Sequence, residues 1–163
     1  MGFGDWVVYH ALSEFDMAKH ASSIRPKNGG YTRVPSGDEL KKYFAQSGFP
    51  NGYTSRISWC GVFATYVLHK VCPAIVWQSR KIVDLSGGKN LKLVRNNKGM
   101  KPGDVAVRDS RGAGHHFIVL APASSGAIWS VDGNHGGPGR PLLFYGRFWK
   151  NNVSAVDGYY RLI

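Results

Sequence analysis

The apolar periodicity of the chain changes partway along it, and that change limits the folds it can adopt. Up to Val71 the apolar residues recur at helical spacing. Trp6, Val7, Tyr9, Leu12, Phe15 and Ala18 do so over 5–22, Leu40, Tyr43 and Phe44 over 39–47, and Val62, Phe63, Tyr66 and Val67 over 59–71. Beyond residue 103 the segments 104–108, 115–121, 127–132, 142–145 and 158–162 read as short strands between Gly, Pro and Asp turns. Helices first and strands second predict an α+β fold, with the helices packed on one side of an antiparallel sheet of about five to six strands. Segment 25–38 reads as a turn-rich loop, 75–84 as a short helix and 89–101 as an exposed basic loop. One domain is expected over 1–163, with an N-terminal helical part over 1–50 and a functional core over 51–163.

Chemistry is expected at Ser58-Trp59-Cys60-Gly61-Val62-Phe63, where a cysteine opens an apolar helix. The unpaired N–H groups and the dipole of a helix N-terminus favour an anion, so a thiol there is biased toward thiolate. Ser58 is a suitable N-cap, and Gly61 leaves room for a substrate to approach the backbone. The second cysteine, Cys72, lies twelve residues on. On one continuous helix that is about 18 Å, too far for a disulfide. Two unpaired thiols suit synthesis in a reducing compartment, and Cys72 has no partner pattern of its own.

A cysteine nucleophile needs a base and a group to orient that base. Strand 115–121 carries His115 and His116, and alternation sends them to opposite faces, so only one is expected to face the thiol. Residue pattern alone does not choose between them. The strand ending in Asp132-Gly133-Asn134 offers two orienting groups on one face, Asp132 and Asn134. Trp59, Tyr53 and His135 are candidates to line a cleft, although the ordinary fate of a large aromatic favours the core for Trp59.

The ordered set Trp59-Cys60-Gly61-x-Phe63, Lys101-Pro102-Gly103-Asp104, Gly114-His115-x-x-Ile118-Val119 and Asp132-Gly133-Asn134 resembles the CHAP-type amidases. These belong to the NlpC/P60 superfamily of papain-like cysteine hydrolases, which cut amide bonds of bacterial peptidoglycan. The resemblance covers about residues 50–135. It implies a papain-like fold, Cys60 as nucleophile, His115 as general base because it directly follows the glycine, and Asn134 as the orienting residue. Asp132 falls where many members place a Glu. His116 and Phe117 depart from the family pattern, which has a small apolar residue after the histidine. The implied enzyme is an amidase or endopeptidase working through a thioester, with no cofactor and no metal.

The chain has 21 Lys and Arg against 10 Asp and Glu, a net charge of +11, which predicts an acidic partner such as an anionic wall polymer. A basic nucleic-acid-binding module or a non-catalytic wall-binding module is the alternative, and it leaves the Cys, His and Asn order unexplained. A zinc site is disfavoured because adjacent histidines diverge and no ligand-spacing motif occurs. No apolar run approaches the roughly 20 residues of a membrane span, and no Sec-type signal is visible. The resemblance and the missing signal suggest synthesis in the cytoplasm and action in the periplasm or wall of a target cell. Delivery would be by a secretion system, type VI among them, or by phage-type lysis. A monomer with a cognate immunity protein, no nucleic acid and no membrane insertion is expected.

Overall fold

The computed structural model describes residues 2–27, 29–55, 57–78, 80–108, 114–122, 126–135 and 142–163. The fold is α+β. Helices α1 (Phe3–Ser13), α2 (Met17–His20), α3 (Gly37–Gln46) and α4 (Cys60–Val71) accompany ten strands. These are β1 (Ile24–Lys27), β2 (Gly30–Arg33), β3 (Ile75–Gln78), β4 (Lys81–Asp84), β5 (Leu91–Val94), β6 (Val105–Arg108), β7 (His115–Pro122), β8 (Ala127–Asp132), β9 (Leu143–Asn152) and β10 (Gly158–Leu162). Eight strands form one antiparallel sheet in the order β1-β2-β9-β8-β7-β6-β10-β5, and β3 pairs with β4 separately.

Helix α4 lies at the centre. From Cys60 to Leu68 it is buried without interruption, so its apolar character is not confined to one stripe. It packs with α1 and α3 against the sheet face that carries Val105, Ile118, Val131, Leu143 and Tyr160. The opposite face has a smaller core of Ala106, Phe117, Val119, Ile128 and Val156. Alternation along β7 divides these two cores, Ile118 going to the first and Phe117 and Val119 to the second.

Strands are more numerous than the sequence predicts, for three local reasons. Segment 25–38 contributes β1 and β2, whose apolar content is low because β1 is an edge strand. Pro26, which lacks an N–H, is tolerated there. Segment 75–84 is a hairpin rather than a helix. Arg80 takes the left-handed turn conformation (φ 72°) usually supplied by Gly or Asn, so the turn leaves no sequence mark. The basic stretch 89–101 contains β5, and its lysines suit an edge strand that pairs only with β10. The first 50 residues are therefore not purely helical.

The helix expected over 5–22 breaks at Glu14–Asp16. Asp16 caps α2 by accepting from the Ala18 N–H, while Glu14 turns inward. Helix α3 begins at Gly37, two residues before the start read from the sequence, with Ser36 and Glu39 forming a capping box. Asp104 of the Lys-Pro-Gly-Asp segment is structural. Its carboxylate accepts from the Lys101 N–H at 2.6 Å and from Arg161 Nε and a terminal nitrogen at 2.8 and 2.6 Å, joining the start of β6 to β10.

Candidate active site

Cys60 is the first residue of α4, where the N–H groups have no acceptor within the helix. The N-cap is Trp59, which makes no side-chain capping bond, so Ser58 does not cap the helix. Ser58 Oγ instead lies 3.6 Å from Cys60 Sγ and accepts from Asn134 Nδ2 at 2.8 Å. Gly61 has a different reason from substrate access. A Cβ there would sit 2.2 Å from the Trp77 ring, so the glycine exists to let that ring pack on the helix start. Gly133 is the matching device just past β8, where a Cβ would meet Phe63 Cβ at 2.6 Å. The first approach seats β3 on the start of α4, and the second brings the end of β8 against it.

The thiol sits against the beginning of β7, with Sγ 3.7 Å from the Gly114 carbonyl oxygen. Because it lies at the strand's end rather than over one face, strand alternation does not separate the two histidines from it. Hydrogen bonding and charge from both His115 and His116 favour the ionised thiol, although the two side chains leave the strand on opposite faces. His115 Nε2 is 2.9 Å from Asp132 Oδ2, leaving Nδ1 for the thiol. Antiparallel pairing explains the contact: Phe117 is opposite Asp132, so Asp132 shares a sheet face with Phe117 and His115. Asp132 is fully buried, and its other oxygen accepts from Ser130 Oγ.

Asp132 therefore orients the histidine, and Asn134 does another job. Asn134 adopts a left-handed backbone (φ 56°) just past β8 and holds Ser58 beside the thiol. Neither Ser58 nor Ser130 was legible as a site residue in the sequence, since serines near turns are common and carry no spacing signal.

The electrostatics favour an ion pair. Burial pushes the Cys60 thiol up, but hydrogen bonds and positive charge from His115 and His116 outweigh it and hold the thiol down at about 5. Burial pushes His115 down, and the contacts with Asp132 and Cys60 more than compensate, raising it to about 9. Between these two values the site holds thiolate and imidazolium.

The proposed cleft residues separate. Trp59 is 6% exposed and stacks on Tyr43 at 6.1 Å, which makes it a core residue rather than a cleft wall. Tyr53 packs edge-on to Phe44 beneath the Lys41 ammonium, on the side of α3. His135 is half-buried and stacks on Phe144 at 4.6 Å. Burial lowers its pKa, and Asp132 and His115 are in electrostatic range, so it is the candidate that borders the thiol site. A depression of about 380 Å³ at Pro26, Lys27, Gly29, Gly30 and Tyr31 includes none of the thiol-site residues.

Among the described residues one group has metal-ligand geometry: Glu14, His20 and Glu39. A cation from the chain already fills it. Arg33, 1% exposed, donates to Glu14 at 3.0 Å, to Glu39 at 2.6 Å and to His20 Nδ1 at 3.2 Å. Tyr43 and Tyr66 complete the network by donating to Glu14 at 2.6 and 2.9 Å. The cluster is a buried ion-pair network that ties α1, β2, α3 and α4 together.

No protein-family model, curated protein or solved structure matches the chain. The reading of the site therefore stands on its own geometry.

Proposed function

We propose that the protein is a cysteine hydrolase of the CHAP type, within the papain-like NlpC/P60 superfamily, that cleaves amide bonds of bacterial peptidoglycan. One observation carries the reading: the Cys60–His115–Asp132 chain, with a thiol at a helix start, a base on one strand and a buried carboxylate on the next. A nucleophile, a base and an orienting acid in one line are the parts that acyl transfer requires. The four ordered sequence motifs support the wall as substrate, and a net charge of +11 suits an anionic polymer.

In this mechanism the Cys60 thiolate attacks the amide carbonyl, forming a C–S bond as the C=O electron pair moves to oxygen. The Cys60 backbone N–H, unpaired within the helix, is placed to hold that oxyanion. Collapse breaks the C–N bond, and the leaving amine takes the proton from His115 Nδ1. Water then attacks the thioester, giving one proton to His115; the C–S bond breaks to restore the thiolate, and the carboxylic acid released loses its remaining proton to solvent. Asp132 keeps the imidazole oriented and stabilises its charged form throughout.

The proposed setting is action on a target cell's wall after delivery by a secretion system or by lysis, with an immunity protein as the expected antagonist. Digestion of purified sacculi by wild type and Cys60→Ala tests the substrate. Wild type should release fragments with new amino termini while Cys60→Ala binds but releases none. Release of nothing by wild type from several wall chemotypes would remove peptidoglycan from the account.

A further inference from the structure

His116 occupies a position that the sheet pattern assigns to an apolar residue, since Ile118 and Leu120 on the same face pack into the main core. It is 6% exposed, edge-on to Trp77 at 5.4 Å and stacked on Tyr160 at 6.3 Å. Its Nδ1 is buried without a hydrogen-bond partner. A buried imidazole with an orphan nitrogen is costly, and an aromatic hydrocarbon would fill the same space without that cost. The other nitrogen, Nε2, is the one left to meet the thiol at the start of β7.

We propose that His116 is a second imidazole serving Cys60, a fixed Nε2–H donor to the thiolate, while His115 alone moves the proton. The division of labour follows from the surroundings. His115 has the Asp132 carboxylate behind it and carries charge through the reaction, whereas His116 has Trp77 from β3 and Tyr160 from β10 around it. Arg95 lies in electrostatic range of Tyr160. No carboxylate stands behind His116 among the contacts of the described residues. Trp77 packs both on the His116 ring and over Gly61, the neighbour of Cys60, which sets this imidazole beside the thiol. Calling the step acyl transfer rests on the hydrolase reading; the contact with the thiolate does not.

The test is alkylation of Cys60 by iodoacetamide as a function of pH in a Cys72→Ser background, which needs no substrate. His116→Phe keeps a ring between Trp77 and Tyr160 and removes both nitrogens. The alkylation midpoint should rise by about one pH unit or more, with circular dichroism unchanged, and His116→Gln, which restores a donor, should regain part of the shift. An unchanged midpoint in folded His116→Phe would overturn the proposal and make His116 a packing residue. Ring ¹⁵N spectra of the Cys72→Ser protein and its Cys60→Ala derivative decide the matter even if His116→Phe fails to fold. Removing the thiolate should move the His116 Nε2 resonance, and an unmoved resonance contradicts the contact. A protein that passes both tests yet leaves sacculi intact keeps the His116 assignment and loses the hydrolase reading.

Discussion

Asp132 Oδ2 lies 2.9 Å from His115 Nε2, and the carboxylate is fully buried at the end of β8 while the imidazole stands at the start of β7. This one contact decides which ring nitrogen serves the thiol and keeps the imidazolium charged. Asp132→Asn keeps the shape and removes the anion. Its kcat/KM on wall fragments should fall by about 10²- to 10⁴-fold, and the alkaline limb of its pH profile should move to lower pH.

The ion pair sets the pH dependence of the wild type. Activity should rise as Cys60 loses its proton near 5 and fall as His115 loses its own near 9, giving a bell centred near neutrality. Initial rates from pH 4 to 10 check this. A thiol left at its ordinary value would instead make activity climb through pH 8.

Asn134 supports the site through Ser58 rather than through the base, so its loss should be milder. Asn134→Gly retains the left-handed backbone and removes only the bond to Ser58. It should lower kcat/KM by about 10-fold or less, consistent with a loss of about 0.5–1.5 kcal/mol, without moving either pH limb. Kinetics side by side with Asp132→Asn separate the two roles.

That pair of residues also shows how far the sequence could be read. The order Cys60, His115, Asp132 and Asn134 was visible, and so was the helix start that favours a thiolate. The choice between Asp132 and Asn134 was not, because both share a strand face and only the register with Phe117 and the turn at Asn134 separate them. Alternation does send His115 and His116 to opposite faces, His115 beside Phe117 and His116 against Trp77 and Tyr160, and the thiol sits against Gly114, just ahead of both. In the fold, the later strands were legible from the Gly and Pro punctuation, whereas the cap of α4 expected at Ser58 lies at Trp59. β4 was hidden by Arg80 acting as a turn residue, and β1 and β5 by the polar character that edge strands share with loops.

Gly61 is held to a hydrogen side chain by Trp77. Gly61→Ala should destabilise the fold by about 1–3 kcal/mol, because the added methyl must displace a packed indole. Thermal or urea unfolding measures the loss. Combined with Trp77→Leu, it should cost less than the sum of the two single losses, since the clash then disappears.

The Arg33 network is a stability element away from the thiol. Glu14→Ala strips Arg33, Tyr43 and Tyr66 of their shared acceptor in a buried setting and should cost about 3–5 kcal/mol in urea unfolding. The alkylation midpoint of Cys60 should stay where it is, because the network makes no contact with the thiol.

The central claim is that Cys60 becomes covalently acylated during turnover. Acid-quenched mixtures of enzyme and wall fragments, digested and weighed by mass spectrometry, should show a thioester adduct on the Cys60 peptide in wild type. The adduct should build up in Asp132→Asn, where deacylation is slowed, and be absent in Cys60→Ala, which should also be inactive. Wall cleavage that proceeds with no adduct and persists undiminished in Cys60→Ala would contradict the account.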